Sequence, residues 1–530
     1  MNEIKDGILY FTDKAMAYKL NATPLKGKYK VLATEYTTKN LGENEFSQRM
    51  KDFRVAFEDI KKQVNPSIIY DHRLRPYQNV DVFALSKIKQ KGVFNEMRCG
   101  KTPTTIQSVV HEGYKKVLVV VPSFLKYQWY DEFIKWSDFT KEEIEIVDGK
   151  QDKRLLQYLS AKNRDKLVLI VSYDTIKTDV KKCLTLGTGF DAMIVDEAHF
   201  LRNLKSSRTE TIIDIGKRVP VKYALTGTPA VQHPKDIYGI LRFLYPNRFR
   251  SQYQFCDQFF EKVFDPFAYN NFVYGGFKPC MEKDLQNYLS CMSIQRKTRD
   301  VMNWLPDITR QTIRLDMNPK QQKLYDKMRR EFVVEIAGKE IDAQNALVQA
   351  TRLNQLSICP EIFGEGIPSS KVDFVIDYVE ENPLEPIIIF SSFTSALKVI
   401  HEKIKGSVLL TGEQTAEQKK KNVEAFQAGK TNVILANIQA GSVGWTIDRA
   451  NTMIFLNRSF IPVDNKQAEA RFLNTRPDMP NKNKTIIDLV NNRSKDQDLL
   501  EVYRGRLTLI DVINSYYKEE LKWYNIQENN

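Results

Sequence analysis

Gly92-Val93-Phe94-Asn95-Glu96-Met97-Arg98-Cys99-Gly100-Lys101-Thr102-Pro103-Thr104-Thr105 joins a short apolar run to the start of a helical pattern. A turn of this kind aims backbone N–H groups at phosphate oxygens, and the helix after it adds the positive end of its dipole. Lys101 would reach the β- and γ-phosphates of a bound nucleotide, and the Thr102 hydroxyl would ligate its magnesium ion. Arg98, Cys99 and Gly100 complete the loop around them. The strict phosphate-loop pattern wants glycine five residues before Gly100, where this chain has Asn95. Pro103 is compatible with the first helical turn, whose N–H groups have no helical partner.

A second motif, Val195-Asp196-Glu197-Ala198-His199, follows the apolar run Met193-Ile194. Its carboxylates therefore emerge at a strand's carboxyl end, where open α/β sheets bind ligands. Asp196 is the expected magnesium ligand, and Glu197 the group that polarises an attacking water. Leu225-Thr226-Gly227-Thr228-Pro229 ends another strand with hydroxyls and a glycine turn that could sense the nucleotide. Upstream, Arg73-Leu74-Arg75-Pro76-Tyr77-Gln78 offers an amide, Gln78, able to read both edges of adenine. Downstream, Gln439 to Thr446 forms a small-residue loop containing Gly444, and Gln467, Arg471 and Arg476 follow. An arginine from a second lobe can neutralise charge on a transferring phosphoryl group. These motifs, in this order, read as an ATP-hydrolysing machine with ATP and Mg2+ as cofactors.

Composition narrows the partner. The 530-residue chain is too long for one compact core, and a 42% apolar fraction suits a globular protein. The formal net charge of +13 favours a polyanion, because phosphate contacts release condensed counterions. Beside the motor motifs, DNA is the expected partner in preference to RNA. Six cysteines without a Cys-x-x-Cys pair or a Cys/His cluster argue against a disulfide framework and a structural zinc site, so reduced thiols are expected. Apolar runs such as Val117–Pro122 are strand-length, so no membrane partner is expected, and the start Met1-Asn2-Glu3-Ile4 has no signal-peptide pattern. A cytoplasmic location follows as the expectation.

Along the chain, residues 1–70 read as a small N-terminal module, with alternating stretches at Ile8–Phe11 and Tyr29–Tyr36 and a polar helical pattern over Glu45–Lys62. Residues 71–245 alternate buried strands with helices, which predicts a parallel sheet covered on both faces. Residues 246–365 read as a helical insertion and linker. Their aromatics, Phe249 to Tyr269, are expected to be packing core in preference to a base-stacking platform. Strand–helix alternation returns over 366–495, and 496–530 reads as a charged helical tail. The fold class is α/β, with two similar parallel-sheet lobes.

These segments resemble superfamily-two helicases, and specifically the Swi/Snf-like branch of double-stranded DNA translocases. The carriers are Leu74 to Gln78, Asn95 to Thr102, Val121-Pro122 with Trp129, the Asp196-Glu197-Ala198-His199 (DEAH) box, and Leu225 to Pro229. Later carriers are Arg296-Lys297 before Leu305-Pro306, Leu353 to Pro360, Phe390 to Phe393, Gly441 to Gly444, and Gln467-Ala468 with Arg471. The overall look is nearest small bacteriophage or bacterial members. The resemblance implies two RecA-like lobes, DNA-stimulated ATP hydrolysis, and travel along duplex or branched DNA in recombination, fork processing or repair. It carries Gln78 to the adenine, Lys101 and Thr102 to the phosphates and magnesium, Asp196 and Glu197 to catalysis, and Gln467 and Arg471 to the last motif. The chain departs from the pattern at Asn474, where the family has its second arginine. Either Arg471 or Arg476 would then serve as the finger.

Overall fold

The structure, a computed structural model, describes residues 3–32 and 69–500, except 6–7, 20–21, 26–27, 89, 180–188, 266–270, 280, 291, 303–304, 306, 332, 337–338, 343–345, 365, 442–446, 460, 474–482 and 498–499. The polar pattern over Glu45–Lys62 and the tail beyond 500 lie outside these residues. The described chain divides into two compact units, one ending at Val301 and one beginning at Met302.

The first unit opens with four short antiparallel strands, β1 (Glu3–Lys5), β2 (Ile8–Phe11), β3 (Thr23–Leu25) and β4 (Lys28–Leu32), in the order β1-β2-β4-β3. Period-two alternation gives this small sheet one buried face, with Leu9, Phe11 and Val31 in its core.

The larger sheet of this unit is built from β5 (Gln90–Val93), β6 (Lys116–Val121), β7 (Ile144–Ile146), β8 (Leu167–Ser172), β9 (Ala192–Val195) and β10 (Val221–Leu225). Val117 to Val121 and Leu167 to Val171 are fully buried. β-branched residues that fill both sides of a strand suit a parallel sheet sandwiched by helices, and each such side chain contributes about 1.5–3 kcal/mol by leaving water. A hairpin, β11 (Phe260–Phe264) with β12 (Phe272–Phe277), comes next, and then β13 (Ser293–Ile294) adds to the sheet edge. The strand order is β13-β5-β10-β9-β6-β8-β7, all parallel.

The second unit holds β14 (Ile308–Leu315), the hairpin β15 (Val333–Ile336) and β16 (Lys339–Asp342), then β17 (Ile387–Ser391), β18 (Val408–Leu410), β19 (Val433–Asn437), β20 (Thr452–Phe455) and β21 (Lys484–Asn491). Its six-stranded parallel sheet runs β14-β21-β20-β17-β19-β18. The pleat sorts its apolar residues onto two cores. Ile387, Ile389, Leu435 and Ile454 face one layer, while Ile388, Phe390, Ile434 and Met453 face the other. The fold is α/β with two parallel-sheet lobes. Among the described residues no helix is long and apolar enough to cross a membrane.

The stretch 246–365 supplies more than helices, since β13 and β14 lie within it and each joins a different large sheet. Two residues are too few to show a period. Ile308-Thr309-Arg310-Gln311-Thr312-Ile313-Arg314-Leu315 is a polar edge strand, so it lacks the apolar run that marks the others. The aromatics of this stretch divide: Phe249, Phe255, Phe259 and Phe260 are buried and pack together, whereas Tyr253 and Phe264 are exposed.

Candidate active site

Strand order assembles the site. β5, β10 and β9 are neighbours, with Leu225 opposite Val93 and Ala224 opposite Val195. The three chain segments that leave their carboxyl ends are the phosphate loop, the Thr226-Gly227-Thr228 turn and the Asp196-Glu197 pair. They therefore stand side by side at one edge of the sheet, although they are distant in sequence.

The loop closes through backbone conformations that few residues adopt. Gly100 caps the helix Lys101–His111 with φ at 70°, and Arg98 also lies at positive φ. A Cβ on Gly100 would fall 2.0 Å from Gln78 Nε2, so any side chain there would add backbone strain and push the Gln78 amide aside. The Lys101 ammonium turns back over the loop and donates to the carbonyls of Asn95 at 3.0 Å and Glu96 at 3.3 Å. Gly227 approaches from the neighbouring strand. A Cβ there would meet Met97 at 3.2 Å and Lys101 Nζ at 3.5 Å.

Asp196 is buried and each carboxylate oxygen has a donor: Trp129 Nε1 at 2.8 Å to Oδ2, and the Glu197 N–H at 2.8 Å to Oδ1. Burial, then the Glu197 charge, raise its pKa to about 6, while Trp129 and the nearby Lys101 charge pull it back. The main chain here is strained, with Glu197 at φ 49°. Tyr173 holds it by donating to the carbonyls of Asp196 at 2.7 Å and Glu197 at 3.3 Å. His199 Nδ1 lies 3.1 Å from Glu197 Oε2 and 3.2 Å from Thr226 Oγ1, which accepts the Thr228 N–H at 3.1 Å. The His199 imidazole thus stands between the Glu197 carboxylate and the turn after β10.

This donor set fits a nucleotide with a divalent cation. A lysine ammonium resting on loop carbonyls, a first-turn hydroxyl on Thr102 and a buried carboxylate on the next-but-one strand are the partners that phosphate oxygens and a hard cation need. Cys99 is buried, and its thiol pKa is pushed up to about 12 by burial.

Gln78 sits beside this loop with its amide already engaged. Its Oε1 accepts the Arg75 N–H at 2.8 Å, and Nε2 donates to the Gly100 carbonyl at 3.4 Å. The structure thus groups Gln78, Arg98, Cys99, Gly100, Lys101, Thr102, Asp196 and Glu197 in the first unit. Gln467 and Arg471 lie in the second, one turn apart on the helix Pro462–Phe472 and half-buried. Glu469, on the same helix, is pushed up by burial but pulled further down by Arg458 and Arg310, so it ends below the ordinary carboxylate value. Arg310 Nη2 on β14 holds it at 2.5 Å. Asn457 ties the end of β17 to that of β20, accepting from Ser391 Oγ and the Ser392 N–H at 3.1 Å each. Gly444 and Arg476 lie outside the described residues.

Sequence patterns alone gave no role to Asp81, Tyr173 or Thr298. Asp81 had a usable signal: Tyr77, Gln78 and Asp81 share one face of the helix Pro76–Ser86, and all three are buried.

Residues 77–361 match the SNF2-related domain family, and residues 355–474 match the helicase conserved C-terminal domain. An uncharacterized ATP-dependent helicase of Mycoplasma genitalium is 26% identical over 72% of this chain and 37% of its own length. The human DNA annealing helicase and endonuclease ZRANB3 is 25% identical over 75% of this chain and 37% of its own. The chain thus spans little more than a third of the length of these curated relatives. Among solved structures, the Sulfolobus solfataricus SWI2/SNF2 ATPase core in complex with dsDNA covers 85% of this chain and 95% of that one, at 19% identity and a TM-score of 0.38. With the family match extending over more than half of its length, the chain belongs to the SNF2-related family.

Proposed function

We propose that this chain is a DNA-stimulated ATPase that moves along duplex or branched DNA and remodels it, or the proteins on it, during recombination, fork processing or repair. The observation that carries the reading is the line of Lys101, Asp196, Glu197 and Thr226 along adjacent strand ends. In it, Lys101 and the loop N–H groups receive the phosphates of ATP, and Thr102 with Asp196 would hold magnesium. The bound cation would neutralise charge on the phosphate oxygens. Glu197 orients the attacking water, and His199, which stands between that carboxylate and Thr226, would respond to its state.

The net charge of +13 supports a polyanionic track. The N-terminal sheet offers a surface for choosing among DNA structures. Tyr10 lies opposite Lys30 on the face away from Leu9, Phe11 and Val31, and Lys28 shares that face. The similarity to a DNA annealing helicase supports DNA as the substrate.

The test is the steady-state ATPase rate with no nucleic acid, single-stranded DNA, duplex DNA, a four-way junction and RNA, with Lys101→Ala as control. Duplex or junction DNA should stimulate strongly, and Lys101→Ala should abolish turnover. Stimulation by single strands or RNA only would replace this reading with a strand-separating helicase. Absence of turnover, with DNA affinity still responsive to ATP, would make the protein a nucleotide-gated binding subunit.

A further inference from the structure

The phosphate loop is gripped from both sides. On one side, the helix Pro76–Ser86 sends Tyr77 Oη to the Cys99 carbonyl at 3.2 Å and Gln78 to Gly100. Asp81, one turn further on, accepts from Asn95 Nδ2 at 3.1 Å. On the other side, residues 292–298 run alongside the loop. The N–H groups of Gly92, Phe94 and Glu96 donate to the carbonyls of Met292, Ile294 and Arg296 at 2.8–2.9 Å. Thr298 then takes over. Its N–H donates to Glu96 Oε2 at 2.8 Å, and its hydroxyl donates to the Met97 carbonyl at 3.1 Å.

Arg296 joins the two sides. Its Nε and Nη2 donate to Asp81 Oδ1 at 2.9 and 2.7 Å, with both side chains at most 1% exposed. Asp81 passes the constraint on through its other oxygen to Asn95, which is fully buried and whose own Oδ1 has no hydrogen-bond partner among the described residues. Among the described residues the Asn95 side chain is therefore held by Asp81 alone, and its carbonyl is the nearer of the two on which the Lys101 ammonium rests. A buried ion pair adds little net stability over apolar side chains of similar volume, and losing one partner costs far more than losing both. The position of this pair is better explained by the geometry it imposes.

We propose that Arg296 and Asp81 are positioning residues for the nucleotide, acting through Asn95 to place Lys101, with Thr298 fixing the middle of the same loop. The inference rests on the reading of this loop as the ATP site. It also accounts for asparagine at the place where the strict loop has glycine: the side chain is the handle by which the loop is held.

Binding of a fluorescent ADP analogue, KM and kcat for ATP, and thermal melting of the full chain test it. The double variant Asp81→Leu/Arg296→Met removes both charges together and should melt only a few degrees below the wild type, the cost of leaving Asn95 Nδ2 without its acceptor, while ADP affinity falls about tenfold, the equivalent of one charge-assisted hydrogen bond. KM for ATP should rise more than kcat falls. Thr298→Val, nearly isosteric, should weaken ADP about threefold without moving the melt, and it carries the test if the double variant does not fold. ADP affinity within twofold of wild type in the folded variants overturns the assignment. Wild-type protein that binds no ADP overturns the underlying nucleotide reading instead, so the two failures are distinguishable.

Discussion

Trp129 donates its indole N–H to Asp196 Oδ2 at 2.8 Å, and this bond decides which way the buried carboxylate faces. Trp129 stands on the helix Lys126–Trp136 that follows β6, the strand beside β9, so adjacent strands position donor and acceptor. Trp129→Phe keeps most of the ring volume and removes the donor. A hydrogen bond to a charged acceptor is worth about 1.5–3 kcal/mol, which predicts a loss of roughly 10–100-fold in kcat/KM for ATP. The melting temperature should move only a few degrees. Unchanged kinetics in the folded variant would show that Asp196 needs no orienting group.

Glu197 lies at φ 49°, a conformation that costs a side-chain-bearing residue about 1–2 kcal/mol and persists because Tyr173 and the strand hold it. Glu197→Gln keeps shape and strain but removes the carboxylate that orients water. DNA-stimulated turnover should drop by about two orders of magnitude or more, while ADP affinity stays within a few-fold of wild type. A parallel loss of affinity would place Glu197 in nucleotide binding and not in the chemical step.

The two lobes and the motif-bearing loops were legible because buried parallel strands are written as unbroken apolar runs. Val117 to Val121 and Ile387 to Phe390 have no other economical reading. The places of Lys101, Asp196 and Glu197 after neighbouring strands were legible because apolar runs lead into each of them. What holds them was not. Asp81 and Arg296 meet across 215 residues of sequence, and a lone buried carboxylate or arginine has no local pattern. Gln78 shows the opposite limit: its place was readable, but not that its amide serves Arg75 and Gly100. β13 and β14 escaped because one is two residues long and the other is a polar edge.

Gly100 and Gly113 form a natural control pair, since both have φ near 70° but differ in surroundings. At Gly113 an added Cβ meets nothing within 4 Å, so Gly113→Ala should cost only the backbone strain, about 1–2 kcal/mol, and leave ATP hydrolysis alone. At Gly100 the same methyl would strike Gln78 Nε2 at 2.0 Å. Gly100→Ala should therefore displace Gln78 and the loop together and raise KM for ATP by about tenfold or more, beyond any loss of stability. Equal effects of the two substitutions on melting and on KM would mean that the contact between Gln78 and the loop is dispensable.

Lys222 gives a prediction about stability that is independent of the active site. It lies on β10, 4% exposed, with its ammonium 6.0 Å from the centre of the Phe243 ring. Burial lowers its pKa from 10.5 to about 8. A folded value below the unfolded one means that the unfolded chain binds more protons between pH 8 and 10.5, so this residue makes stability rise with pH across that window. Below pH 8 the ammonium is a standing cost, on the order of 3 kcal/mol at about 1.4 kcal/mol per pKa unit. Lys222→Met, similar in length and free of charge, should raise the midpoint of chemical denaturation at pH 7, and the advantage should shrink as pH approaches 10. Denaturation of both proteins at pH 7, 8.5 and 10 checks the sign. A variant less stable than wild type at pH 7 would mean that contacts of the ammonium outweigh its burial.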